Sequence, residues 1–239
     1  MAALSARAGA PGTLIAVAGM VGSGKSTLAA ALARRFGLSL AMESVDDDNP
    51  WLRLFYADAE HRTRYALHLQ LHFLASRFRS LRQMRGKGGS WILDRTWYED
   101  AEVFVRGLAE QGLLSSPEYD LYQRLYAELL HSPAARPPRL LIYLHGPLDA
   151  IVRRIEARGR APEKEVEPAY WAALHERYER WIGEFRHAPV LSLDVTEYDI
   201  VGDHAAIEDI AALVRVRLEG QLPQTELWPA APRMSDAPR

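Results

Sequence analysis

The chain has 239 residues, 25% of them charged, a formal net charge of −2 and no cysteine. The near-balanced charge argues against a protein that coats nucleic acid or an anionic membrane surface. The missing cysteines exclude disulfides and thiolate metal sites, and no apolar run approaches the ~20 residues of a membrane span. The expectation is a soluble cytoplasmic protein with no nucleic-acid or membrane partner.

Residues 1–12 are rich in Ala and Gly, hold only Arg7 as a charge, and lack the long apolar core of a signal peptide. They are expected to be a flexible arm ahead of a single domain over 13–220. An apolar run at 14–18 predicts the first strand. It leads into Gly19-Met20-Val21-Gly22-Ser23-Gly24-Lys25-Ser26, which fits the phosphate-binding pattern G-x-x-x-x-G-K-[ST]. A helical stretch at 26–36 follows and is closed by Gly37. Strand, glycine loop and helix is the context the motif requires. Gly19, Gly22, Ser23, Gly24 and Thr27 then belong to a nucleotide cradle. Backbone N–H groups face phosphate oxygens, Lys25 reaches the β- and γ-phosphates, and Ser26 ligates Mg2+.

Further strands are predicted at 38–42, 90–93, 140–144 and 190–193, each rich in Leu, Ile or Val without clean alternation. That is the pattern of strands buried on both faces of a parallel sheet. Helices are predicted at 60–85, 98–111, 118–131, 147–158 and 168–186. Gly86–Gly89 and Pro133–Pro138 read as loops, and 221–239, with Pro223, Pro229, Pro232 and Pro238, as a flexible tail. The alternation predicts an α/β fold with a five-stranded parallel sheet flanked by helices, its ligands at the carboxyl ends of the strands. Glu43 and Asp94 each follow a predicted strand. One carboxylate suits a metal, the other a proton from an attacking hydroxyl. The competing reading is a helix cap, available to Asp94 ahead of Arg95 and Thr96.

From Asp94 to Phe104 the chain resembles the deoxynucleoside kinases of the deoxycytidine, deoxyguanosine and deoxyadenosine group. Asp94-Arg95-Thr96 stands for their [DE]-R-S, with Thr96 keeping the hydroxyl, and Asp100 and Phe104 fall at the expected spacings. Glu43-Ser44-Val45 with Asn49-Pro50 is similar to the family's E-P-V…N stretch, Ser44 replacing the Pro. Gln70 and Arg77 match a helix carrying Gln and Arg seven apart. Arg154 to Glu163 resembles the arginine lid R-x-x-x-R-G-R-x-x-E, and the segment 193–199 the loop covering the donor base.

The resemblance implies a P-loop kinase fold with an arginine-rich lid, ATP and Mg2+ as cofactors, a deoxynucleoside as substrate and a homodimer. Glu43 is implied as base on the 5′-hydroxyl, oriented by Arg95. Lys25, Arg154 and Arg158 neutralise the transferring phosphoryl group, and Ser26 and Asp94 hold the metal. Arg158, Arg160, Glu197 and Tyr198 bind the nucleotide donor. Gln70, Arg77, Asp100 and Phe104 form the base pocket, and Tyr56 and Glu163 hold the sugar 3′-hydroxyl. The stretch from Tyr56 to Gln70 is about three residues longer than the family pattern. Tyr98-Glu99-Asp100 looks most like bacterial purine deoxynucleoside kinases, which favours deoxyguanosine or deoxyadenosine over deoxycytidine. A nucleoside-monophosphate kinase is the nearest rival, but Glu43 would repel an acceptor phosphate. A regulatory NTPase switch lacks support, since no N-K-x-D guanine motif is present.

Overall fold

The computed structural model describes residues 12–42, 49–159, 166–200, 202 and 204–220. Five parallel strands form one sheet in the order β2-β3-β1-β4-β5. They are β1 (Leu14–Gly19), β2 (Ser39–Ala41), β3 (Trp91–Asp94), β4 (Leu140–His145) and β5 (Val190–Asp194). Ile15 through Ala18, Ile92 and Leu140 through Ile142 have no exposed surface. These central strands are covered on both faces, which is why their sequences run apolar rather than alternating. The register extends most predicted strands by one residue. Val17 pairs with Asp94, Gly19 with Leu144, and His145 with Asp194. Ladder hydrogen bonding uses only the backbone, so it continues past the last apolar side chain.

Helices α1 (Lys25–Phe36), α2 (Pro50–Phe55), α3 (Ala59–Lys87), α6 (Ser116–Leu130), α7 (Leu148–Arg158), α8 (Pro168–Glu184) and α9 (His204–Glu219) flank the sheet. Between α3 and α6 the chain forms one continuous helix of three parts. A short α4 (Trp97–Glu99) leads into a π-helical stretch, Asp100–Val105, and then α5 (Arg106–Glu110). A plain α-helix is expected over 98–111, so the π geometry is a departure.

Two helices are absent from the sequence expectation. The first, α2, starts at Asn49, whose side chain accepts from Trp51 N at 3.0 Å, with Pro50 in the first turn. The second, α9, buries Ala206, Ile210, Ala211, Val214 and Leu218 on one stripe. It ties to α1 through Arg35 and Glu208 at 2.7 Å. The expected N-terminal arm, apart from Gly12, and the expected tail at 221–239 lie outside the described residues, as do Glu43, Arg160 and Glu163.

Candidate active site

The phosphate loop turns on glycine. Gly19, Gly22 and Gly24 have φ of 140°, 83° and 95°, values that L side chains rarely adopt. Space reinforces conformation at two of them. A Cβ on Gly19 would lie 2.4 Å from Leu144 O, and one on Gly22 would lie 2.5 Å from Ile155 Cγ1. The loop is therefore wedged between β4 and α7. α1 begins at Lys25 with no acidic residue in its own first turn, so the positive end of its dipole faces the loop. Lys25 is buried, and its Nζ donates to Met20 O at 2.9 Å across the loop. Ser23 is fully buried and its hydroxyl has no partner among the described residues. Thr27 is exposed in the first turn of α1.

The end of β3 meets this loop. Ser26 Oγ donates to Asp94 Oδ2 at 2.5 Å, and Asp94 is 2% exposed. The other oxygen, Asp94 Oδ1, is buried without a partner among the described residues. A buried carboxylate oxygen left open beside a hydroxyl, at a helix N-terminus shaped for phosphate, fits a hard divalent cation such as Mg2+. Asp94 is not the helix cap. That role belongs to Thr96, whose side chain accepts from Glu99 N at 3.3 Å while Glu99 returns bonds to Thr96. β2 pairs Ala41 with Leu93, so the chain leaving β2 toward Glu43 exits at the same edge of the sheet as Asp94.

Between Asp94 and the cap, Arg95 has φ of 72°. For a non-glycine residue this costs ~1–3 kcal/mol. The turn points its guanidinium over Phe104, 4.7 Å from the ring centroid. Sequence alone does not single out Glu99, three residues past Thr96 in the cap pattern. In the fold it is fully buried and accepts four hydrogen bonds. Oε2 takes Thr96 N (2.8 Å) and Thr96 Oγ1 (3.1 Å); Oε1 takes Gly19 N (3.3 Å) and Tyr178 OH (3.0 Å). Burial pushes its carboxyl pKa up, opposed by the charges of Arg95 and Lys25 and by the backbone bonds.

The residues expected to form a base pocket lie on and beside α3. Gln70 and Arg77 share one helix face two turns apart, and Gln70 is 6% exposed. Arg77 Nε meets Asp100 Oδ2 at 2.8 Å, with the two side chains 15% and 7% exposed. A cleft next to this pair is lined by Ala41, Met42, Phe73, Arg77, Asp94 and Arg95 among others. It joins the exits of β2 and β3 to α3. Phe104 also meets the Tyr178 ring edge to face at 6.3 Å. Tyr56 caps the C-terminus of α2 and stands 63% exposed, open to solvent rather than enclosed. Tyr65, the other tyrosine in reach by sequence, packs with the rings of Trp51 (5.9 Å) and His68 (5.7 Å). The extra residues between Tyr56 and Gln70 lie in the first turns of α3, capped by Asp58, which accepts from His61 N at 2.8 Å.

On the donor side, α7 ends at Gly159, φ 65°, as the expected lid pattern requires. Arg154 Nη2 donates to Val195 O at 2.6 Å, gripping the turn after β5, while Arg158 sits exposed in the last turn. Arg153 pairs with Asp149 at 2.6 Å on the solvated face. In the turn, Asp194 Oδ1 accepts from Thr196 N and Thr196 Oγ1 at 2.8 and 2.7 Å, which holds its carboxyl below the usual range. Glu197 is exposed in this turn, and Tyr198 is half-buried against the core. Ile200 next to it packs near Gly24, its Cδ1 being 3.8 Å from where a Cβ would stand. The segment that carries Glu197 and Tyr198 thus lies beside the start of α1.

Comparison with known proteins agrees with this geometry. A family model described as "Deoxynucleoside kinase" matches residues 15–218. The deoxyadenosine/deoxycytidine kinase of Bacillus subtilis is 42% identical over 198 residues, covering 83% of this chain and 89% of that protein. A deoxyguanosine kinase of Lactobacillus acidophilus is 33% identical over 220 residues, covering 88% and 94%. Among solved structures, deoxyadenosine kinase from M. mycoides with the products dCMP and a flexible dCDP bound superposes with a TM-score of 0.72. It shares 26% identity and covers 85% of this chain and all of that one. Phosphate loop, strand-end carboxylate and buried Arg–Asp pair therefore sit in a known framework, and the chain belongs to the deoxynucleoside kinase family.

Proposed function

We propose that this chain transfers the γ-phosphate of ATP to the 5′-hydroxyl of a deoxynucleoside in nucleotide salvage. Deoxyadenosine and deoxyguanosine are the favoured acceptors and deoxycytidine a further one. The observation that carries the reading is the buried Arg77–Asp100 pair at 2.8 Å beside a cleft that also reaches Asp94. It sets hydrogen-bonding groups suited to a base edge next to a phosphate site. The name of the 42% identical relative supports deoxyadenosine and deoxycytidine.

In this reading Gln70, Arg77 and Asp100 read the base edge while Phe104 stacks on it. Tyr56 and Glu163 hold the sugar 3′-hydroxyl. Glu43 accepts the 5′-hydroxyl proton, and Arg95 orients Glu43. The P-loop amides and Lys25 bind the β- and γ-phosphates; Arg154, Arg158 and Arg160 spread positive charge around the transferring group; Glu197 and Tyr198 border the donor base. Ser26 and Asp94 would hold Mg2+, which neutralises phosphate charge when bound. Leu121 and Leu125, one turn apart on α6, are 48% and 40% exposed and suit burial against a second copy, supporting a homodimer. A cytoplasmic setting is part of the same reading; among the described residues no helix is long and apolar enough to cross a membrane.

The test is ATP-dependent phosphorylation of deoxyadenosine, deoxyguanosine, deoxycytidine, thymidine and thymidine monophosphate side by side. Turnover of a purine deoxynucleoside is expected. Turnover of thymidine monophosphate alone would overturn the acceptor assignment, and ATP hydrolysis unresponsive to all five would point to a nucleotide switch.

A further inference from the structure

Glu99 has no step in the reaction just described, yet it is among the most completely buried ionisable groups described. A helix cap explains only half of it. The bonds from Thr96 N and Thr96 Oγ1 occupy Oε2. Oε1 faces the other way, to Gly19 N and Tyr178 OH. One carboxylate therefore joins the first glycine of the phosphate loop, the turn that carries Asp94 and Arg95, and the middle of α8. Burying a carboxylate is costly unless hydrogen bonds satisfy it, and here an apolar side chain would strand the backbone N–H groups of Gly19 and Thr96. The four donors come from three separate parts of the site, so the carboxylate ties those parts together rather than filling a gap in the core.

Building on the kinase reading above, we propose that Glu99 is a positioning residue that sets the phosphate loop against the Asp94–Arg95 turn, with Tyr178 as its brace. The route to the reacting phosphate is short. Glu99 fixes the Gly19 amide; the next residue, Met20, offers the carbonyl that takes Lys25 Nζ at 2.9 Å. A displaced Gly19 displaces Lys25. On either side of Tyr178, α8 also meets the sheet through contacts that do not involve Glu99. His175 Nε2 hydrogen-bonds Gly146 O at 3.0 Å, and Glu179 accepts from Tyr143 OH at 2.9 Å. His175 and Glu179 of α8 thus meet β4 or the residue after it, and Tyr178, through Glu99, meets the ends of β1 and β3.

A glutamine at 99 keeps the shape but sets an NH2 against one of the two backbone N–H groups, Gly19 or Thr96, whichever oxygen it replaces. Affinity for ATP, measured by calorimetry on the full chain without acceptor, is expected to fall about 10-fold or more in Glu99→Gln and about 3- to 10-fold in Tyr178→Phe. Deoxynucleoside affinity should stay within about twofold in Tyr178→Phe, which keeps the ring that meets Phe104. Tyr143→Phe is the control: it cuts an α8 anchor that bypasses Glu99, so it should lower the melting temperature and leave ATP affinity unchanged. ATP affinity within twofold of wild type in Tyr178→Phe, or an equal loss in Tyr143→Phe, overturns the proposal. Tyr178→Phe removes a single hydroxyl, so it decides the matter even where Glu99→Gln does not fold. Binding is read without turnover, so a wild-type chain that binds ATP and phosphorylates no nucleoside would refute the acceptor assignment and leave this test standing.

Discussion

Replacing Arg77 with Met separates base recognition from core packing. The change keeps an unbranched stem but removes the guanidinium whose Nε lies 2.8 Å from Asp100 Oδ2, and the Asp100 side chain is only 7% exposed. A carboxylate stranded at that depth costs about 3–5 kcal/mol. At about 2–4 °C per kcal/mol for a domain of this size, the melting temperature should drop by roughly 6–20 °C. Adding Asp100→Leu removes the stranded charge. A buried ion pair is often no better for stability than apolar side chains of similar volume, so the double variant should recover most of the loss. Phosphorylation should not recover with it. With the donor fork and its carboxylate both gone, the deoxynucleoside KM should remain at least about 10-fold above wild type, the equivalent of about 1.4 kcal/mol. ATP affinity should be unchanged. Chemical denaturation and steady-state kinetics on the three proteins give every number required. A double variant with wild-type nucleoside KM would show that the pair merely braces α3 against the π-helical stretch. An Arg77→Met variant costing under about 1 kcal/mol would refute the burial argument itself.

Gly22→Ala should weaken ATP binding and lower the melting temperature together, because the methyl adds about 1–2 kcal/mol of backbone strain at φ 83° to an overlap with Ile155 Cγ1 at 2.5 Å. Ile155→Ala in the same chain should return part of the loss, and a purely additive double variant would show that the overlap is not the cause. Glu43→Gln should remove most turnover while leaving nucleoside affinity nearly intact; equal loss of both would count against a proton-accepting role. His187 stacks on Tyr98 at 4.6 Å, and partial burial holds its pKa below 6.5. The unfolded chain therefore takes up the proton first, so this contribution to stability is complete above about pH 6.5 and is lost as pH falls through the folded value. Melting temperatures between pH 7.5 and 5.5 should fall further in wild type than in His187→Phe, and identical slopes would assign the acid sensitivity elsewhere.

The sheet is legible in the sequence because its strands are uninterrupted apolar runs. Misplaced boundaries occur where a ladder runs on into Asp94, His145 or Asp194, since backbone pairing does not consult the side chain. α2 has six residues, too few for a helical period to declare itself, and its only sign is Asn49-Pro50. α9 did carry a sign: Ile207, Ile210, Ala211, Val214 and Leu218 recur at helical spacing. In the site, the phosphate loop is readable because its glycines answer local geometry. The Arg77–Asp100 contact is foreshadowed by helical spacing and family resemblance. Glu99 is different. Thr96-Trp97-Tyr98-Glu99 reads as an ordinary capping box, and what sets this carboxylate apart arrives from Gly19 and Tyr178, 80 and 79 residues away.

The π-helical stretch Asp100–Val105 bears on which genetic lesions the site tolerates. A π turn carries about one residue more than an α turn. Removing a single codon inside it would let the helix relax to ordinary α geometry, with α4 and α5 both still able to form. The facing of α5 relative to α4 would change little, because the residue lost is the one the wider turn had absorbed. In α3 or α8 the same deletion would rotate everything beyond it by about 100°. The stretch between Thr96 and Arg106 is thus where the loss of one residue disturbs the packing of the flanking helix turns least.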